Sequence, residues 1–396
     1  MNRRDLLALA AAAAPLVVAG RAFAVPSSGS RLLVVFLRGA YDAANVLVPT
    51  TGDFYARSRP TLAIARPDPT NPDSALPLTV DWGLHPALLG SLYPLWQKGQ
   101  VAFAPYAGAD DLSRSHFETQ DTIELGQPIG AGRNFGSGFL GRLLGSLGGA
   151  RPIAFTRQIP LSFQGGRPVA NFPVDAVVRP VVDPRQARLI AEMYRGGDLA
   201  ASVDEGFTVD NAVVGALAGE MTAASRGAVS AKGFALSARR IGRLMRDRFN
   251  LAFVDVGGWD THVGQGGATG YLAGRLDELG RGLAGFADEI GAEAWDDTVV
   301  VVISEFGRTF RENGDKGTDH GHGSVYWVLG GGVRGGRVLG DAGPVTEVSL
   351  NQDRDYPVLI DYRSLLGGLF SRQYGLDAAR LETVFPGARP RDFGLV

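Results

Sequence analysis

Uninterrupted apolar runs, with no polar alternation, recur along the chain and predict strands that are buried on both faces of a parallel sheet. Polar, glycine-rich loops follow or precede each run. The predicted strands are Arg31–Leu37, Val101–Pro105, Phe249–Val256, Thr298–Ser304 and Ser324–Leu329.

Between and after these runs lie segments with apolar residues at helical spacing, which predict amphipathic helices. The predicted helices are Pro184–Gly196, Asp210–Ala224, Ala231–Arg248, Ala268–Ile290 and Tyr362–Tyr374. Strands that alternate with helices of this length are typical of an α/β protein, here a three-layer α/β/α sandwich around a mostly parallel sheet. The helices between 184 and 248 have no strong strand between them, which predicts a helical insertion.

The amino terminus predicts an export signal. Arg3 and Arg4 precede an apolar run from Leu6 to Ala19, and Ala22-Phe23-Ala24 is an A-x-A-like cleavage site. This pattern is typical of a twin-arginine signal over residues 1–24. We therefore expect the export machinery as a partner, a periplasmic or secreted mature domain over 25–396, and no stable membrane span.

The amino-acid composition limits the partners and the metal ligands that the protein can have. The 39 basic and 41 acidic residues nearly cancel, so no nucleic-acid partner is expected. The chain has no cysteine, which excludes disulfides, thiolate metal sites and cysteine nucleophiles. Any metal must be held by histidine, carboxylate or hydroxyl groups.

Polar side chains gather where the predicted strands end, the edge at which open parallel sheets bind ligands. In extended backbone, positions i and i+2 project to the same side, so Asp260 with His262, and His320 with His322, can each reach one ion. With Asp42 and Glu305 these residues could hold one or two divalent ions. The competing interpretation of a single Asp-x-His is a hydrogen-bonded turn.

Two further residues keep two interpretations each, and a third keeps one. Ser115, beside His116, is either a nucleophile or a helix cap. Arg308 either binds a substrate oxyanion or pairs with a neighbouring acid. His85, at a predicted helix start, is interpreted as a capping or packing residue.

Five stretches together resemble the DUF1501 family, whose members look like a branch of the alkaline phosphatase and sulfatase superfamily. The stretches are Phe36–Asp42, Arg114–Phe117, Gly257–His262, Ser304–Thr309 and Gly317–Gly323. The resemblance implies an alkaline-phosphatase-like domain that hydrolyses a small or polymeric ester with zinc, or with manganese, calcium or iron.

Carried over by position, the resemblance assigns roles to individual residues. It implies Ser115 as the nucleophile, and as ligands Asp42, Asp260, His262, Glu305 and either His320 or His322. The superfamily has Asp-His where this chain has Glu305-Phe306, so a second ion needs its nitrogen ligand from His320 or His322.

Among superfamily substrates the sequence favours a phosphoric ester. The sulfatase pattern C/S-x-P-x-R is missing, because the nearest match, Ser58–Leu62, ends in leucine. The alternatives are a sulfuric ester hydrolase and a non-catalytic secreted binding or assembly protein with a structural metal.

Overall fold

In the computed structural model, strand β1 (Arg31–Leu37) divides its side chains between two hydrophobic cores. Leu33 and Val35 enter one core, and Leu32 and Val34 enter the other. A strand that is apolar at every position is buried on both faces, as the sequence predicts. The structure describes residues 29–130, 132–174, 184–208, 233–340 and 343–396.

The strands after β1 are β2 (Leu47–Pro49), β3 (Leu76–Pro77), β4 (Trp82–Leu84), β5 (Val101–Gly108), β6 (Pro152–Ala154), β7 (Ala170–Asn171), β8 (Leu251–Val256), β9 (Thr298–Ser304), β10 (Ser324–Leu329), β11 (Arg337–Val338) and β12 (Ile360–Asp361). The helices are α1 (Ala43–Val46), α2 (Phe54–Ser58), α3 (Leu92–Gln97), α4 (His116–Leu125), α5 (Phe139–Ser146), α6 (Pro184–Tyr194), α7 (Phe234–Asp247), α8 (Tyr271–Ile290), α9 (Ala292–Asp296), α10 (Tyr362–Tyr374) and α11 (Ala378–Val384). Residues 200–208 are also helical.

The central sheet has the order β11-β5-β10-β9-β1-β8-β6-β7, and β12 also pairs with β5. Strand β1 is parallel to β8 and β9, and β10 is antiparallel to both β9 and β5. The strands β2, β4 and β3 form a small separate sheet. The prediction of a mostly parallel sheet is therefore confirmed.

Helices cover both faces of the sheet and complete an α/β/α sandwich. Helices α7 and α8 pack into the core that contains Leu33, while α5, α10 and α11 pack into the core that contains Leu32. The sequence assigns α7 to a helical insertion, but its buried Ile241 and Leu244 belong to the sheet-covering layer.

Most predicted elements appear close to their predicted bounds. Strand β5 continues three residues beyond Pro105 because the apolar run continues through Ala107. The predicted signal peptide (1–24) and the predicted helix 210–224 lie outside the described residues. No helix in the described ranges has the length and hydrophobicity to span a membrane.

Candidate metal centre

Five loops meet at one edge of the sheet. Those that follow β1, β5, β8 and β9 leave from carboxyl ends of strands that run the same way. The segment 319–323 precedes β10, and it reaches the same edge because β10 runs antiparallel to its neighbours. A parallel β10 would carry this segment to the opposite edge, so strand direction decides the composition of the site.

Four side chains from three of these loops converge there, and we call them the His/Asp cluster: His116, Asp260, His262 and His320. The Nε2 atom of His320 lies 3.0 Å from the Nε2 atoms of both His116 and His262. The Asp260 carboxylate lies 3.6 Å from His116 Nε2, 3.0 Å from His262 Nε2 and 3.4 Å from His320 Nε2. His116, Asp260 and His320 each offer one ligand atom to a common metal position, and these atoms lie within 4.8 Å of one another.

The other nitrogen of each ring faces an oxygen that can only accept a hydrogen bond. His116 Nδ1 lies 2.8 Å from Glu305 Oε1, and His320 Nδ1 lies 3.0 Å from the Arg114 carbonyl oxygen. His262 Nδ1 lies 3.1 Å from Asp319 Oδ1. A ring that donates from Nδ1 to this oxygen turns an unprotonated Nε2 toward the cluster, where Arg308 Nη1 also lies 3.3 Å from His262 Nε2.

This arrangement fits a divalent cation. Unprotonated Nε2 atoms 3.0 Å apart repel each other, and a cation between them removes the repulsion. Zinc–nitrogen bonds of about 2.0–2.1 Å in a tetrahedron place ligand atoms about 3.3 Å apart, which is the range found here. Metal-bound histidines commonly donate Nδ1–H to a carboxylate or a carbonyl, as all three of these do.

The cluster is open to solvent. Its side chains are 23–45% exposed, with His116 the least and Asp260 the most accessible. Burial acts to raise the pKa of Asp260, but the charge and hydrogen bond of Arg308 outweigh it and hold that pKa below its ordinary value. Burial and the neighbouring His116 lower the pKa of His320, which favours the neutral ring.

Glu305, predicted as a ligand, stands behind the cluster instead. Its fully buried Oε1 accepts hydrogen bonds from His116 Nδ1, Gln120 Nε2 and the Gly39 N–H. Burial alone would raise the pKa of this carboxyl, but these hydrogen bonds hold it below its ordinary value. Because Oε1 already has three donors, Glu305 orients His116.

Glycine is required at position 39 for this arrangement. Gly39 has a φ of +116°, and an added Cβ would lie 2.7 Å from the Asp260 backbone nitrogen. Because Gly39 has no side chain, the loop after β1 packs against the loop after β8 at this point, and the Gly39 N–H donates to Glu305 in the loop after β9.

Arg308, predicted to hold a substrate oxyanion, has no N–H left for one. Its five N–H groups are directed at the carbonyl oxygens of Gly39, Ala40 and Thr318, at Asp260 Oδ1 and at His262 Nε2. The side chain is also fully buried. Its contact with Asp260 agrees with the alternative interpretation, in which Arg308 pairs with a neighbouring acid.

Asp42, predicted as a ligand, is outside the cluster. Its two oxygens lie 2.5 Å and 3.0 Å from the guanidinium nitrogens of Arg59, and Gln265 Nε2 donates a further hydrogen bond. Both partners of the ion pair are buried. With its lone pairs occupied inside the protein, this carboxylate does not face the imidazole rings.

His322, also predicted as a ligand, faces away from His320. Its Nε2 atom lies 3.0 Å from Asp110 Oδ1, and its buried Nδ1 atom has no partner among the described residues. The expectation that positions i and i+2 share one side fails here. The Gly321 N–H donates to the Gly307 carbonyl, and the Gly307 N–H donates to the His322 carbonyl. These hydrogen bonds to Gly307 hold the segment in a conformation that is not a regular strand.

Ser115 is the N-cap residue of α4, half-buried, and its side chain makes no capping hydrogen bond. It directly precedes His116 of the cluster. The residue before it, Arg114, has a φ of +51°, an uncommon value for a non-glycine residue, and its carbonyl accepts from His320. Ser115 thus lies at the site, and its role as nucleophile stays a prediction.

The sequence interpretation omitted His116 from the ligand set. The sequence feature that could have identified His116 is its position in the loop after a predicted strand, next to a serine. Asp260 was selected because it has the same kind of position. His85 matches its prediction: its Nδ1 atom accepts the Ala87 N–H and caps a short 3-10 turn.

The fold and the cluster define an α/β sandwich protein with a potential metal site at the sheet edge. The family model DUF1501, described as a protein of unknown function, matches residues 104–385, and the chain belongs to this family. No curated protein matches the sequence.

Two solved structures are similar to the chain at low identity. One is a protein in the alkaline phosphatase superfamily from Vibrio parahaemolyticus, with 13% identity, a TM-score of 0.38, and coverage of 93% of this chain and 71% of that chain. The other is Ps i-CgsB in complex with k-i-k-neocarrahexaose, with 10% identity, a TM-score of 0.41, and coverage of 89% and 73% respectively.

Proposed function

We propose that the protein is an exported, metal-dependent hydrolase that converts a phosphoric ester and water to an alcohol and a phosphate product. The observation that carries the proposal is the convergence of three Nε2 lone pairs and one carboxylate, with every Nδ1 hydrogen held by an oxygen. Support for the reaction class comes from the resemblance of five motifs to the DUF1501 family, whose members look like a branch of a superfamily of ester hydrolases.

In this proposal His116, Asp260 and His320 hold one divalent ion, with His262 beside them. When bound, zinc or a similar ion supplies Lewis-acid activation of an ester oxygen or of water. Three protein ligands leave a position for substrate, which is the pattern of catalytic zinc sites. Glu305 keeps His116 in its metal-binding tautomer, and Arg308 holds Asp260 in place.

Ser115 is the candidate nucleophile. It begins the ten-residue helix α4, whose free N–H groups and dipole stabilise negative charge at this end. Its Oγ would attack phosphorus while the bond to the leaving oxygen breaks, and the hydroxyl proton would pass to the departing alcohol. Water would then displace Oγ from phosphorus, which releases the phosphate product and returns the proton to Ser115. Attack by water instead would leave Ser115 to bind the ester oxygens.

A structural metal site is the second candidate, and one observation favours it. Counted together, His116, Asp260, His262 and His320 are four protein ligands, the number typical of a closed structural zinc site. In that case the protein would be a binding or assembly protein, as the alternative from sequence holds.

Elemental analysis of the exported protein, purified without chelator, is the first test. We expect about one divalent ion per chain, which chelators remove. A protein that is metal-free, folded and not stabilised by added zinc, manganese, calcium or iron would contradict both candidates.

Turnover then separates the two candidates. We expect hydrolysis of p-nitrophenyl phosphate or bis(p-nitrophenyl) phosphate, and none of p-nitrophenyl sulfate. Ser115→Ala should lower kcat by at least about 10³-fold with little change in stability, while Ser371→Ala, at a half-buried serine on α10, is the control. Metal-loaded protein with no turnover of any ester would establish the structural role.

A further inference from the structure

A cavity of about 740 Å³ lies at the same sheet edge, beyond the carboxyl ends of β1, β6 and β8, and no residue of the His/Asp cluster lines it. Its volume lies in the range of small-molecule binding sites. Both polar and apolar side chains line it, among them Arg38, Gln120, Asp121, Glu124, Phe155 and Phe234.

Helix α4 connects the cavity to the His/Asp cluster. His116, Gln120 and Glu124 are spaced i, i+4 and i+8 and therefore lie on one face of the helix. At 1.5 Å per residue, Gln120 is about 6 Å and Glu124 about 12 Å from His116 along the axis. The helix thus presents side chains to the cavity within about 6–12 Å, along its axis, of a residue of the metal centre.

Gln120 forms the border between the two. Its Nε2 donates to Glu305 Oε1, the atom that also accepts from His116 Nδ1, and its Oε1 accepts from Arg38 Nη1 at 2.8 Å. Arg38 lines the cavity and also donates to Glu124 and Asp255, at 2.8 Å each. One hydrogen-bond network therefore runs from the cavity wall to a metal-facing histidine.

The charges of the lining exclude a polyanion. The wall carries three arginines and four carboxylates. Arg38 pairs with Glu124 and Asp255, and Arg275 pairs with Glu278. A ligand with several negative charges would meet a wall with no excess of positive charge.

The same wall suits hydroxyl groups. The Asp121 carboxylate feels the charges of Arg133 and Arg38 but makes no side-chain hydrogen bond or ion pair within the described residues, so both its oxygens can accept. Arg38 has two N–H groups beyond those it commits to Gln120, Glu124 and Asp255. A hydroxyl both donates and accepts, and the apolar residues Phe155, Ile159 and Phe234 contact carbon faces.

We propose that this cavity binds a neutral, polyhydroxylated group of the size of a short oligosaccharide. As a statement about substrate it rests on the proposed function, in which this group is the part of the ester next to the reacting phosphate. Its binding in the cavity does not require the metal.

The test is binding of neutral trisaccharides to the exported protein, with and without chelator. The probes are maltotriose, cellotriose, laminaritriose and N,N′,N″-triacetylchitotriose, with trigalacturonate and a heparin-derived oligosaccharide as polyanions. Titration calorimetry should show at least one neutral probe binding in both metal states. Binding of the polyanions alone, or of no probe, would overturn the proposal.

Two variants locate the binding. Asp121→Trp fills the cavity from α4 and should lower the affinity for the neutral probe by at least about tenfold, and Asp121→Asn, which keeps the volume, by a few-fold. Glu118→Trp, at an exposed position on the same helix, is the matched control. Unchanged affinity in both Asp121 variants would place the probe elsewhere and overturn the proposal.

The outcomes separate this proposal from the proposed function. Neutral-probe binding without turnover of any ester would retain the cavity assignment and reject the hydrolase. Turnover of p-nitrophenyl phosphate without neutral-probe binding would retain the hydrolase and reject the cavity assignment.

Discussion

Asp42 and Asp260 follow neighbouring strands of one sheet, and each is bound by a buried arginine, yet they lie in opposite environments. Asp42 is 1% exposed and is enclosed by Arg59 and Gln265. The Asp260 side chain is 45% exposed and faces three imidazole rings beyond its contact with Arg308. The first is a sealed ion pair, and the second is a carboxylate with room for a ligand.

The comparison shows that a carboxylate at a strand end is not by itself a metal ligand. Arg59 satisfies both oxygens of Asp42 from inside the protein, whereas Arg308 contacts one oxygen of Asp260. Free acceptor capacity and nearby imidazole nitrogens distinguish the two. The following changes test this distinction, from the largest expected effect to the smallest.

Asp42→Asn should destabilise the protein without removing metal. The amide keeps the shape but leaves the Arg59 cation uncompensated in the interior, which costs about 3–5 kcal/mol of unfolding free energy. Urea denaturation measures the cost, and elemental analysis checks the metal. Loss of metal with unchanged stability would return Asp42 to the ligand set.

His85 near the sealed pair should make stability depend on pH. Burial lowers the pKa of His85 to about 4, against an ordinary value of 6.5. The unfolded chain binds the proton first, so stability is complete above pH 6.5 and falls by about 3 kcal/mol as the pH drops to 4.

Urea denaturation between pH 4 and 7, with chelator present, measures this dependence. His85→Asn keeps a side-chain acceptor for the Ala87 N–H but removes the titration, so its profile should be flatter than that of the wild type. Parallel profiles for the two proteins would show that His85 has no such role.

Asp260→Asn should have the opposite result to Asp42→Asn. The amide oxygen still accepts from Arg308, and the group is half-exposed, so we expect a stability loss below about 1 kcal/mol. Loss of the charged ligand should lower zinc affinity by about 100-fold or more. Competition with a chromophoric chelator measures it, and unchanged affinity would place the ion elsewhere.

Glu305→Gln should weaken zinc binding less, by about 10- to 100-fold. The amide cannot supply the negative charge that makes His116 a stronger ligand, although its oxygen can still accept hydrogen bonds from the same donors. An effect as large as that of Asp260→Asn, with direct loss of an oxygen ligand in X-ray absorption spectra, would instead make Glu305 a ligand.

Much of the fold followed from local pattern. The apolar runs at Arg31–Leu37 and Thr298–Ser304 are strands at the predicted bounds, and Tyr362–Tyr374 is a helix at its predicted bounds. The two strands are apolar at every position and are buried on both faces, and the helix has its apolar residues at helical spacing. In both cases the local hydrophobic pattern determines the conformation. The segment 319–323 has no such period, and spacing alone misassigned His322.

The sequence by itself determined the α/β class, the position of the polar loops and the absence of thiolate ligands, because hydrophobic period and residue type are local properties. Only the tertiary structure decided which polar groups meet. The antiparallel direction of β10 brings His320 to the edge, and α4 brings His116 to it. Arg59, 17 residues from Asp42, removes that carboxylate from the site. Which polar groups meet depends on contacts between segments that are distant in the sequence. These contacts form only in the folded chain, where polar groups compete for the same hydrogen-bond and ion-pair partners.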